Sequence, residues 1–181
     1  MSDTPALSSL TALVVDGATG PGRIVSIRLS AAGLRVAVVT VEEAVGATYL
    51  CKELAELGLT ALPYRVCPFD ADDAERVVSE VTEDLGQVDI LVDLLPEDGF
   101  HEPATALGRA VLNGMAVAGH AGRVMVLRGA SRRHWETVLA EHPSLSLDLI
   151  PAPGAAVDGD VADRSGLSTA EAVLLLLGIQ P

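Results

Sequence analysis

The sequence predicts an α/β fold built on one parallel sheet covered by helices on both faces. Three observations predict it. Short runs rich in Val, Leu and Ile recur along the chain, as strands of a sheet covered on both faces do. Amphipathic or Ala-rich segments long enough for helices separate these runs, so the pattern alternates strand and helix throughout. The third observation is size and composition: 49% of the 181 residues are hydrophobic. A chain of that length hides roughly 70% of its unfolded surface on folding, enough for a full core. Residues 1–181 are therefore read as a single domain, with no internal repeat or linker to divide them.

The elements follow in order. A first strand is expected at 12–15, where Ala-Leu-Val-Val runs into a glycine-rich turn and a first helix. A second strand is expected at 35–39, and the second helix at Thr40-Val41-Glu42-Glu43. That segment has the form S/T-x-x-E, which satisfies free N–H groups reciprocally at a helix start. Strands at 61–66 and 90–92 come next. Between Glu97 and Gly122 the helical pattern weakens, because Gly108, Gly114 and Gly119 interrupt it and each costs about 1 kcal/mol relative to Ala. A short or irregular helix is expected there. Strands at 123–127 and 145–150 complete the set, and Pro151 to Gly166, rich in Pro, Gly and Asp, reads as a long surface loop. The last helix opens at Ser168-Thr169-Ala170-Glu171, again an S/T-x-x-E pattern.

Charge excludes several partners. With 25 acidic and 12 basic side chains the formal net charge is −13, and Arg132-Arg133 is the only basic cluster. Affinity for nucleic acid or an anionic membrane comes mostly from neutralising phosphates, so both are set aside. The longest apolar run, Ala172 to Ile179, falls far short of the ~20 residues of a membrane span. The N-terminus shows no basic region followed by an apolar stretch, and a soluble cytoplasmic protein is expected. Cys51 and Cys67 have no second ligand pair to make a metal site, and both are read as buried thiols.

The opening Leu13-Val14-Val15-Asp16-Gly17-Ala18-Thr19-Gly20-Pro21-Gly22 resembles the strand-to-helix glycine turn of the short-chain dehydrogenase/reductase family. Val88-Asp89-Ile90-Leu91-Val92-Asp93 is similar to that family's fourth strand and Gly122-Arg123-Val124-Met125-Val126-Leu127 to its fifth. Ala152-Pro153-Gly154 resembles the Pro-Gly after the sixth strand, and Ala170-Glu171-Ala172-Val173-Leu174 the late helix. The resemblance implies a Rossmann-like doubly wound sheet of six strands in the order 3-2-1-4-5-6, with the family's final strand missing. It also implies carbonyl reduction or alcohol oxidation with NAD(H) or NADP(H), through a Ser, a Tyr and a Lys four positions after the Tyr. This sequence cannot supply that set. Its tyrosines are Tyr49 and Tyr64 and its lysine is Lys52, all before the fourth strand, whereas the family's Tyr and Lys follow the fifth. Tyr49 and Lys52, three apart on the second helix, read as a surface pair. Between Leu127 and Leu145 there is too little chain for the usual serine loop and long catalytic helix.

The cofactor signature is altered as well. Gly17, Gly20 and Gly22 sit one residue closer than the family's usual spacing, Pro21 removes a backbone donor, and Asp16 stands where the family has threonine. A carboxylate beside a diphosphate is unfavourable unless it is protonated or paired. At the end of the second strand, Thr40 and Val41 replace the acid that would hold the adenosine ribose or the arginine that would hold its 2'-phosphate. Pro68 stands near the expected adenine-contacting Asp, for which Asp70 could substitute, and Asp93-Leu94-Leu95-Pro96 replaces the Asn-Asn/Ala-Ala-Gly stretch beside the nicotinamide. The three glycines are read as vestigial, and no cofactor is expected, NAD or NADP being the alternative.

Other chemistry is available at the same edge. In a doubly wound sheet the ends of the first and fourth strands border the ligand crevice, and Asp16 and Asp93 fall there, with Arg128 after the fifth strand. Two close acids in a partly dry site cannot both ionise cheaply, so one can serve as general acid and the other as base. The structural alternative is that each Asp caps a turn or pairs with Arg128. His101 and His134 are second-rank acid/base candidates. Ser131 is near the family's serine position without a base partner, and Trp135, the single tryptophan, either packs in the core or anchors a partner.

Three functions remain open. The first is a non-catalytic partner subunit, paired with an intact relative or with itself through the fourth and fifth helices. The second is a cofactor-independent dehydratase, isomerase or cyclase of a biosynthetic pathway, acting on a small molecule through Asp16, Asp93 and Arg128. The third is a nicotinamide-nucleotide sensor.

Overall fold

A computed structural model describes residues 6–41, 44–67, 70–94, 106–119, 121–127, 132–150 and 169–179. After one turn of 3-10 helix at Leu7–Ser9, strands and helices alternate. They are β1 (Thr11–Val15), α1 (Gly20–Ala31), β2 (Arg35–Thr40), α2 (Val45–Glu56), β3 (Ala61–Arg65) and α3 (Ala71–Leu85). The second half holds β4 (Val88–Asp93), α4 (Ala106–Ala118), β5 (Arg123–Leu127), α5 (Arg132–Ala140), β6 (Ser146–Ile150) and α6 (Thr169–Leu176). The strands form one sheet in the order β3-β2-β1-β4-β5-β6, every neighbouring pair parallel.

The apolar strand runs have the cause assigned to them. All five residues of β1 are buried, because its alternate side chains enter two different helix layers. Ala12 and Val14 pack with Val25, Leu29 and Leu50 from α1 and α2 and with Val173 from α6. Leu13 and Val15 pack with Val77, Val81, Leu112 and Met115 from α3 and α4 and with Trp135 from α5. Strand β3 forms one edge of the sheet and contains Pro63, whose missing N–H is tolerated at an edge. Near the other edge, Arg123 of β5 pairs with Asp148 of β6 at 2.7 Å and donates to the Leu176 carbonyl, tying α6 to the sheet.

Three local expectations need correction. The S/T-x-x-E pattern at Thr40 does not start α2. Thr40 is the buried last residue of β2, its carbonyl accepts from Val66 N–H, and the helix begins at Val45 with no side-chain cap. Nor is α4 short or irregular: it runs without a break for 13 residues. Gly108 is there because a Cβ would stand 2.8 Å from the Trp135 ring, while Gly119 follows the helix at φ +68, a conformation that favours glycine. Finally, Cys67 is exposed after β3, and only Cys51 is buried. Burial pushes the Cys51 thiol up to about 11. Since the thiolate is the nucleophile, a thiol titration of the native chain near pH 8 should find Cys67 reacting fast and Cys51 only on unfolding. Equal rates for the two would overturn this assignment.

Helix α6 is described from Thr169, and its expected start at Ser168 lies outside the described residues, as does the loop 151–166.

Candidate functional site

The order reversal lies between β1 and β4, so the crevice opens beyond their carboxyl ends. The turn from β1 to α1 is its floor, and its path is set by the chain's own backbone. Gly17 N–H donates to the Val39 carbonyl at 3.2 Å, and Ser26 Oγ donates to the Gly17 carbonyl at 2.8 Å. A Cβ on Gly17 would lie 2.8 Å from the Val14 carbonyl oxygen and 2.9 Å from Ser26 Oγ. One on Gly22 would lie 2.0 Å from the Asp16 carbonyl oxygen. A Cβ on Gly20 would meet no atom of the described residues within 4 Å, and against them the position needs glycine only for its φ of +43.

Asp16 leaves β1 with φ +56, the only non-glycine residue with positive φ among those described. Such a position is tolerated best by Asn, Asp and Gly. Its Oδ1 accepts a hydrogen bond from the Thr19 hydroxyl at 2.7 Å. Thr19 is the N-cap of α1, yet its side chain makes no capping bond to the helix. This Asp–Thr link is a bond across the turn of the kind the sequence offers as the structural alternative for Asp16; the spacing Asp-x-x-Thr across a glycine turn is its signal.

Asp93 ends β4 half-buried, and the parallel register sets it opposite Val15, one residue before Asp16. The two carboxylate-bearing positions therefore meet at the same edge of adjacent strands. Arg128, His101 and Ser131 lie outside the described residues, as does the side chain of His134. Trp135 is core, 1% exposed. Tyr49 and Lys52 are exposed on α2. Tyr64 is buried in β3 and donates to Asp84 Oδ2 at 3.0 Å; burial, then that carboxylate, raises its pKa. Asp70 serves α3 as N-cap, accepting from the N–H groups of Asp72 and Asp73. Among the described residues no group of three His, Cys, Asp or Glu could hold a metal ion, and no helix is long and apolar enough to cross a membrane.

A nicotinamide dinucleotide, the group the resemblance implies, does not fit these residues. A pyrophosphate needs unopposed N–H donors at the start of α1. Here a carboxylate is bonded to the N-cap residue and the second helical position is Pro21, without a donor. The end of β2 offers Thr40 and Val41, neither an acid for the ribose hydroxyls nor a cation for a 2'-phosphate. The preserved glycines do not count for the ligand, since Gly17 and Gly22 answer to the protein's own atoms.

Fold, strand order and glycine turn together define a Rossmann-like α/β protein. The family model described as short chain dehydrogenase matches residues 10–94. A short chain dehydrogenase of the fungus Pseudocercospora fijiensis is 38% identical over 88 residues, which make up 49% of this chain and 28% of that protein. The hydroxysteroid dehydrogenase of Escherichia coli shares the fold, with a TM-score of 0.68 at 17% identity over 94% of this chain and 92% of that one. So does a metagenomic short-chain oxidoreductase solved in complex with NADP, with a TM-score of 0.67 at 17% identity over 98% and 93% of the two chains. Residues 10–94 are thus similar to the short chain dehydrogenases, and the match spans 28% of the length of that curated relative.

Proposed function

We propose that this protein is a non-catalytic member of the short-chain dehydrogenase/reductase family, a partner subunit that associates with an intact relative or with a second copy of itself. The observation that carries this reading is the connection from β5 to β6: residues 128–145 contain neither tyrosine nor lysine. Hydride transfer to a carbonyl requires a proton donor at the carbonyl oxygen, and the family's donor and its lysine belong in that connection. Neither tyrosine elsewhere replaces it. Tyr49 points to solvent from α2, and Tyr64 is held in β3 by Asp84 with its proton more tightly bound than usual. A surface for association is available on α4, where Val117 is 90% exposed, more than any other large apolar side chain described.

The test is co-expression of the tagged chain with short-chain dehydrogenases of its own organism, followed by purification and size analysis. A stable complex is expected, and Val117→Asp should weaken it about tenfold or more, because burying a Val contributes roughly 1.5–3 kcal/mol. A monodisperse monomer with no associating relative overturns the proposal, as does reduction of a carbonyl by the chain alone.

A further inference from the structure

We propose that Asp16 is the resident anion of the β1–α1 turn, and that its carboxylate keeps dinucleotides out of a turn that retains its three glycines. The start of a helix leaves several N–H groups unsatisfied and carries partial positive charge, which is why phosphates settle there. In this chain a negative group is already built in. The Thr19 hydroxyl is ordinarily free to accept from the helix N–H groups; instead it donates to Asp16 Oδ1 at 2.7 Å, and no capping bond is made. That bond anchors the carboxylate to the first residue of the helix entrance. Pro21 removes one donor a phosphate would use.

The backbone holds the carboxylate there. Asp16 lies in the left-handed region at φ +56, and Gly22 packs so tightly on its carbonyl that even a methyl group would overlap it. A residue stays in that region only where its surroundings fix it. In the same turn, no atom of the described residues lies within 4 Å of where a Cβ of Gly20 would be, so they leave the backbone uncrowded there. The turn is therefore uncrowded at Gly20 and closed in charge. This inference goes beyond the partner-subunit reading, since a partner subunit needs neither to bind nor to exclude a nucleotide.

The experiment is calorimetric titration of the full chain and of Asp16→Asn and Asp16→Gly with NAD+, NADH, NADP+ and NADPH, beside thermal melts of all three proteins. Asn keeps the shape of Asp, removes the charge and tolerates the left-handed backbone; Gly removes the side chain with no conformational cost. Both variants should bind at least one of the four dinucleotides tenfold or more tightly than the unsubstituted chain, and that ligand should raise their melting temperatures. If Asp16→Asn melts below the assay temperature, Asp16→Gly decides alone. An unsubstituted chain that binds as tightly as the variants overturns the inference, and so do folded variants that gain no affinity. Either result leaves the partner reading standing, because that reading is decided by complex formation.

Discussion

Trp135→Ala is expected to destabilise the protein by about 3–5 kcal/mol, as removal of a fully buried aromatic does. Trp135 is 1% exposed on the α3, α4 and α5 side of the sheet, among Leu107, Val111, Leu112 and Leu139. The chain contains no other tryptophan, so the variant must be followed by circular dichroism in urea rather than by fluorescence. A second substitution isolates the contact. In Gly108→Ala the new Cβ would lie 2.8 Å from the edge of the indole ring, so the change should destabilise the protein while Trp135 is present. Once Trp135 is Ala that obstacle is gone, and the same change should stabilise by up to about 1 kcal/mol through helix propensity alone. Additive effects in the four proteins of this cycle would mean that Gly108 and Trp135 do not share a contact.

That pair also marks the boundary of what the amino-acid order discloses. Strands were legible because a parallel strand buried on both faces must be apolar at every position, a constraint local to a few residues. The run at 12–15 accordingly lies within one residue of β1, and that at 123–127 coincides with β5. Gly108 was misread because its reason lies 27 positions away, on the other side of a helix boundary. Counted as a propensity cost it argues for a broken helix; opposite an indole ring it argues for a close-packed one. Thr40 failed in the same way. Its spacing to Glu43 satisfies a local helix-start pattern, but β2 continues through it to pair with Arg65, and the ladder to β3 claims the residue first.

The site divides along the same line. That Asp16 and Asp93 share one edge follows from strand order, which a family resemblance carries, and the register Val15↔Asp93 agrees with it. That Asp16 is bonded to the helix entrance depends on a left-handed backbone and a hydroxyl rotamer, which neither composition nor periodicity encodes. The glycines were legible as a turn and illegible as to purpose. Only the distances separate a glycine that makes room for a ligand from one that makes room for the chain itself.

Gly22→Ala measures that distinction directly and should be among the most damaging substitutions in the protein. Its Cβ would stand 2.0 Å from the carbonyl oxygen of Asp16, 2.8 Å from its carbonyl carbon and 3.1 Å from Gly17 Cα. All three are backbone atoms, so no rotamer change relieves the overlap, and the end of β1 must part from the start of α1. We expect a loss of about 3 kcal/mol or more in urea unfolding, at or beyond the upper end of ordinary overpacking. Gly20→Ala meets no atom of the described residues and has to hold φ +43, which costs about 1–2 kcal/mol. If the glycines had been kept for a phosphate, the ranking would follow ligand affinity, with Gly20, the position that no described residue crowds, the most sensitive. If they serve the strand-to-helix turn, the ranking is Gly22 well above Gly20 in the absence of any ligand. Equal losses at the two positions would place the crossing of β1 and α1 farther apart than these contacts require, and would return the turn to the service of a cofactor.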